Sequence, residues 1–151
     1  MIKLYEEFSK KPKVIIKYYK NDQKKLEEWF LDGGYHREDG PAYQWWFENG
    51  QKRIDQWWLN EYLHRKNGPA IQKWYKNGKK WSEEWWLNGK FHREDGPAYQ
   101  HWSENGQKLS EKWSLNNKKY SREKWVKELK KIKSPHYEEQ KMLLDVEKYN
   151  L

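Results

Sequence analysis

The chain has 151 residues, 36% of them charged, with a net charge of +8 and a mean hydropathy of −1.46. So polar a composition suits disorder, but twelve Trp, eleven Tyr and four Phe exclude it; the expectation is one folded domain that buries rings, each worth ~150–250 Å² of covered surface. The absence of Cys excludes a disulfide framework and a thiolate metal site, and no apolar run approaches the ~18 residues that span a membrane, so a soluble intracellular protein is expected, with a membrane partner disfavoured.

In chain order, residues 1–14 hold four Lys against two Glu and no apolar core of a secretory signal; they read as an N-terminal cap. A 28-residue repeat follows without insertion, over residues 15–42, 43–70, 71–98 and a degenerate fourth copy, 99–117. Its columns keep their chemistry. One is Tyr18, Trp46, Trp74 and Trp102; another is Trp29, Trp57, Trp85 and Trp113; a third is Leu31, Leu59, Leu87 and Leu115. The array is nearly neutral, with 17 basic against 15 acidic residues, so most of the positive excess sits at the two ends.

Asn-Gly between aromatic-rich runs predicts a two-residue type I′ hairpin turn at Asn49-Gly50, Asn77-Gly78 and Asn105-Gly106, both residues taking positive φ. That register sets Trp46 opposite Arg53, Gln44 opposite Asp55 and Ala42 opposite Trp57 on one face. It sets Phe47 opposite Lys52, Trp45 opposite Ile54 and Tyr43 opposite Gln56 on the other. A second turn, at Asn88-Gly89 and its counterparts Asp32-Gly33 and Asn60-Glu61, returns a short third strand, with Phe91 opposite Trp86 and His92 opposite Trp85. Each unit is then a three-stranded antiparallel meander, and the fold is mainly β: an elongated antiparallel sheet of stacked hairpins with a C-terminal helical segment.

The Ala, Trp and Leu columns fall on one face, which is expected to be the structural stack. The other face carries Tyr19, Phe47 and Tyr75 with Phe30, Trp58 and Trp86. Rings on both faces of one sheet call for a curl or a cover. Phe47, Tyr75, Trp58 and Trp86 are therefore candidate partner-binding residues.

Residues 118–151 change grammar: no Gly and no alternation. Trp125, Val126, Leu129 and Ile132 recur at helical spacing behind Ser121 as N-cap, and Ser134-Pro135 restarts a helix with Tyr137, Met142, Leu143, Val146 and Tyr149 on its apolar side. The segment either caps its own array or docks as an arm on a second copy. In the second case Trp125, Val126, Leu129 and Ile132 bind the partner.

The stretches "GPAYQWWFENGQK" and "EWWLNGKFHREDGPAY", with their copies over residues 15–117, resemble MORN-repeat variants of the HREDGPA type, as encoded by large DNA viruses of amoebae, notably marseilleviruses, and by bacteria. The resemblance implies an elongated sheet of hairpins used for protein contact and self-association, a viral setting that extends to the particle, and no shared catalytic activity.

The residues themselves point the same way. His36, His64 and His92 recur one unit apart, so they do not converge on a pocket as acid-base catalysis requires. A metal site built on His-Arg-Glu-Asp would lose its charge at Lys66 and Asn67, whereas a turn at Asp39-Gly40, Asn67-Gly68 and Asp95-Gly96 would not. The expectation is a scaffold that is not an enzyme, without metal, cofactor or small-molecule substrate, and homodimeric. The alternative is a nucleic-acid-binding protein whose first contacts are Lys124, Lys127, Lys130, Lys131 and Lys133, with exposed rings stacking on bases.

Overall fold

A computed structural model describes residues 11–149; the N-terminal part of the expected cap, residues 1–10, lies outside them. The fold is mainly β, an open antiparallel sheet followed by two helices. The first unit gives β1 (Lys13–Tyr18), β2 (Lys24–Leu31) and β3 (Gly34–Tyr35). The second gives β4 (Tyr43–Trp46), β5 (Lys52–Gln56), β6 (Trp58–Leu59) and β7 (Tyr62–Leu63). The third gives β8 (Ile71–Trp74), β9 (Lys80–Glu84), β10 (Trp86–Leu87) and β11 (Lys90–Phe91). The fourth gives β12 (Tyr99–Trp102) and β13 (Lys108–Leu115), and β14 (Lys118–Tyr120), paired back on β13, extends it into the stretch expected to be helical; α1 (Arg122–Lys131) and α2 (Tyr137–Tyr149) follow.

The main sheet runs β1-β2-β4-β5-β8-β9-β12-β13-β14, with β3 beside the end of β2. Neighbouring units thus join directly through their long strands: β2 pairs with β4, β5 with β8, and β9 with β12. The third strand returns on the second as expected, with Phe91 opposite Trp86 and His92 N on Trp85 O, but its place in the sheet is corrected. In the two middle units the third strand leaves the main sheet and forms its own ladder, β6 with β7 and β10 with β11. These short hairpins make a second row, joined by backbone bonds from Arg37 N to Trp58 O, from Arg65 N to Trp86 O and from Arg93 N to Ser114 O, at 3.0–3.2 Å.

The first turn of each unit also differs from expectation. Gly50, Gly78 and Gly106 have φ of 81, 82 and 95°, but Asn49, Asn77 and Asn105 are not in the positive-φ region. Gly50 N donates to Phe47 O at 2.9 Å and Phe47 N to Gln51 O at 2.8 Å, which is a type I turn closed by a left-handed glycine. The extra residue makes a bulge, so Trp46 pairs with Lys52 rather than Arg53, and Phe47 does not face Lys52. Beyond the bulge the pairs Tyr43–Gln56, Gln44–Asp55 and Trp45–Ile54 stand as expected. The Asn is there for its side chain. Its Oδ1 accepts from the amide two residues on in all four units, and in the first two Nδ2 reaches a carbonyl of the next unit, Asn21 to Glu48 O and Asn49 to Lys76 O. The type I′ geometry belongs to the second turn, where Asn88 and Gly89 have φ of 50 and 71° and Asn60 and Glu61 have 49 and 66°.

The apolar core sits at the C-terminal end: Trp113, Leu115, Trp125, Val126, Leu129 and Leu144, with Tyr120 and Tyr137 against them. Trp125, Val126 and Leu129 therefore do not face a partner; they are buried on their own array, while Ile132 stays half exposed. Ser121 caps α1 as expected, its side chain accepting from Lys124 N. In α2 the helix starts two residues after Pro135, and the face turned to the array is Gln140 and Leu144 rather than the run of Met142, Leu143, Val146 and Tyr149.

Candidate interaction site

Three side-chain constructions repeat along the array. The first is built on Arg37, Arg65 and Arg93. Each guanidinium lies over the Trp of its own unit, at 4.1 Å from Trp29, 4.0 Å from Trp57 and 3.7 Å from Trp85. Each donates Nη1 to the carbonyl of Pro41, Pro69 or Pro97, at 3.4, 3.2 and 3.1 Å. A Cβ on Gly40, Gly68 or Gly96 would come within 2.7–2.9 Å of that guanidinium and would push it from its seat on the ring. In the outer two turns the arginine Nε also donates to a carboxylate, Asp39 at 2.8 Å and Asp95 at 2.7 Å. The HREDG stretch is thus a turn folded around its own arginine, which in turn roofs a tryptophan.

The histidines form the second construction. Nδ1 of His36, His64 and His92 accepts the backbone N–H of Asn60, Asn88 and Asn116, at 3.1–3.2 Å. Each ring therefore caps the type I′ turn of the following unit. At His92 the other nitrogen lies 3.2 Å from a Glu94 carboxylate oxygen, which favours the proton on Nε2 and leaves Nδ1 as the acceptor.

The third construction is a polar ladder that the repeat columns announce but polarity disguises. Glu27, Gln44, Asp55, Gln72, Glu83, Gln100 and Glu111 succeed one another across seven strands in direct register. Glu27, Gln44, Asp55 and Glu83 are buried. Gln44 Nε2 donates to Asp55 at 3.0 Å and Gln72 Nε2 to Glu83 at 3.1 Å. The acids pair with Lys24, Lys52, Lys80 and Lys108 at 2.5–2.7 Å. These lysines and the arginines arch over the ladder and over the rings, Lys24 above Trp46 and Lys80 above Trp102. The rings on the ladder's own face, Trp29, Trp46, Trp57, Trp85 and Trp102, are therefore covered by the chain's own cations. The signal for this ladder is the unbroken Lys column three residues before the unbroken acid column.

Glu27 shows the electrostatics. Burial pushes its carboxyl up, but hydrogen bonds from Lys24 and Trp29 and the charges of Lys24 and Arg37 outweigh that and hold it below the usual carboxylate range. A carboxyl held low in the folded state stabilises above its unfolded value of ~4.3, and the contribution is lost as pH falls through the lower folded value. The unfolding midpoint of Glu27→Gln is expected below that of the wild type at neutral pH, and the gap should close as pH falls from about 5 through the lowered folded value. A gap independent of pH would assign the effect to another group.

Of the expected partner residues, Phe47, Tyr75, Trp58 and Trp86 are half-buried. Tyr75 donates its hydroxyl to Trp102 O at 2.9 Å, a unit-to-unit bond that Tyr19 repeats to Trp46 O at 2.8 Å and that Phe47 cannot make. Arg53 covers Trp45 at 4.1 Å and reaches Phe47 at 5.4 Å. Lys124, Lys127, Lys130, Lys131 and Lys133 are all exposed, but Lys131 pairs with Glu128 at 2.6 Å and Lys130 lies over Tyr137.

Four of the exposed large apolar side chains among the described residues lie on α2. Met142 is 60% exposed, Val146 48% and Tyr149 86%, with Leu143 beside them at 41%. Met142, Val146 and Tyr149 line, with Glu138, Lys141 and Asp145, an open groove of about 440 Å³. No described helix is long and apolar enough to cross a membrane. Compared with protein-family models, curated proteins and solved structures, the chain matches none.

Proposed function

We propose that the chain is a non-enzymatic repeat scaffold that self-associates and holds other protein, with the outer face of α2 as its self-association surface. The observation that carries this reading is the two-sided α2: Leu144 and Gln140 seat it on the array while Met142, Val146 and Tyr149 face away. The rim of the groove is self-complementary. With two α2 helices antiparallel about a two-fold axis at Leu143, Lys141 of one copy stands opposite Asp145 of the other, and Glu138 opposite Lys148. The histidines support a role without catalysis, because each is spent on an inter-unit bond. The repeat's resemblance to MORN variants of amoebal viruses supports a viral setting, including the particle.

Light scattering is expected to give a dimer for the intact chain at micromolar concentration. The double variant Met142→Glu/Val146→Glu should be a monomer with unchanged circular dichroism, since neither side chain touches the core. A monomeric intact chain, or a dimeric variant, would remove α2 as the interface.

A further inference from the structure

The three HRxxG turns are copies of one construction, and the middle one lacks a component. The guanidinium is held alike in all three: on Trp29, Trp57 or Trp85, against Gly40, Gly68 or Gly96, and on the following Pro carbonyl. In the first and third turns its Nε meets Asp39 or Asp95. In the second turn that position is Asn67, and among the described residues no carboxylate is bonded to Arg65, whose other side-chain partner is Gln72 Oε1 at 3.2 Å. Lys66 also replaces the acid that is Glu38 in the first turn and Glu94 in the third. Two acids have become an amide and a cation at a place built to present Nε–H to a carboxylate.

We propose that the turn from Arg65 to Gly68 is a receptor for a carboxylate of an acidic peptide, which takes the place filled in the sister turns by Asp39 and Asp95. The fit is shown by the molecule itself, because the same guanidinium pose binds a carboxylate twice. Burial supplies the drive: Arg65 is half-covered by Trp57 and the turn, the ladder acids Asp55 and Glu83 act on its charge without bonding its guanidinium among the described residues, and a charge-assisted bond is strongest where water is thin. The surroundings have room for a peptide. A cleft of about 490 Å³ on one side is lined by Lys66, Trp85, His92 and His136, and one of about 500 Å³ on the other by Arg37, Trp57 and His64. The clefts also hold Glu38, Glu94 and Asp95. Specificity then comes from ring surface in the clefts and one negative charge at the turn. This site lies apart from the outer face of α2, so either can fail without the other.

The sister turns define the test variant. Asn67→Asp restores the internal carboxylate and is expected to fold at least as stably as the wild type, since the outer turns already carry that residue. Arg65 Nε–Hε would be followed by NMR while the full chain is titrated with a hexaglutamate peptide, with hexaglutamine, and with inorganic phosphate. The expected result is a saturable shift at Arg65 with hexaglutamate alone. Asn67→Asp should weaken it at least tenfold. Lys127→Ala, which removes the same one unit of charge from an exposed site, should change it less than twofold. Equal binding by Asn67→Asp, an equal loss in Lys127→Ala, or no saturable shift in the wild type would overturn the receptor. Tighter saturation by phosphate would overturn the carboxylate.

Discussion

Trp125→Ala is expected to destabilise the protein by about 3–5 kcal/mol, the range for truncating a fully buried large ring. Trp125 has no exposed surface and stacks on Trp113 at 4.6 Å with a tilt of 53°. Its Nε1 donates to Arg93 O at 3.2 Å, so truncation also leaves a carbonyl of the third HREDG turn without that partner. The repeat explains why the cost is high. Trp29, Trp57 and Trp85 are each roofed by an arginine of their own unit, but the fourth unit has Ser121 in the arginine column. Trp113 is roofed instead by Trp125, from the proline column, and by Arg122 at 5.2 Å. Gln140 Nε2 adds a bond to Asp95 O at 3.2 Å, so both helices close on the same turn. Urea unfolding would measure the loss. Ile132→Ala is the control: half exposed at the end of α1, it should shift stability by no more than about 0.5 kcal/mol. If the two variants unfold alike, the tail is not the cap of this array. Deleting residues 118–151 is a poor test of self-association for the same reason, because it bares the ring of Trp113.

What was legible in the sequence follows how local each feature is. The 28-residue period and the turn positions depend on columns within one unit, and they carry the strand order. The type I′ reading of Asn49-Gly50 failed because Asn suits two jobs: it tolerates positive φ, and it folds its side chain onto the backbone two residues ahead. The structure uses the second, and Gly50 alone supplies the positive φ. The ladder from Glu27 to Glu111 was visible as columns, but polar columns are expected to be wet. Their burial comes from Lys and Arg side chains of other columns lying over them, which no single column reveals. In the tail, the spacing of Trp125, Val126 and Leu129 identified a buried stripe without saying whose surface buries it. In α2 apolar residues surround the helix, so the seating face, Gln140 and Leu144, was not the more apolar one.

Arg93→Ala is expected to cost about 2–3 kcal/mol, the sum of a desolvated cation–π contact and a charge-assisted hydrogen bond. The side chain lies 3.7 Å from the Trp85 ring, pairs with Asp95 and donates to Pro97 O. Removing it unroofs Trp85, frees the turn and leaves a hole beside Gly96, whose missing side chain exists to let the guanidinium in. Arg93→Lys should recover less than half of the loss. An ammonium supplies charge but neither a planar surface to lie on the indole nor two separated donors for Asp95 and Pro97. The effect should spread in one direction. Trp125 and Gln140 dock on the carbonyls of Arg93 and Asp95, so Arg93→Ala and Trp125→Ala should be non-additive when combined. Arg37→Ala, two units away, should add to Trp125→Ala within about 0.5 kcal/mol. A double-mutant cycle by chemical denaturation reads both pairs. Full recovery by lysine would make the turn a charge site alone, and additivity of Arg93→Ala with Trp125→Ala would separate the cap from the turn it covers.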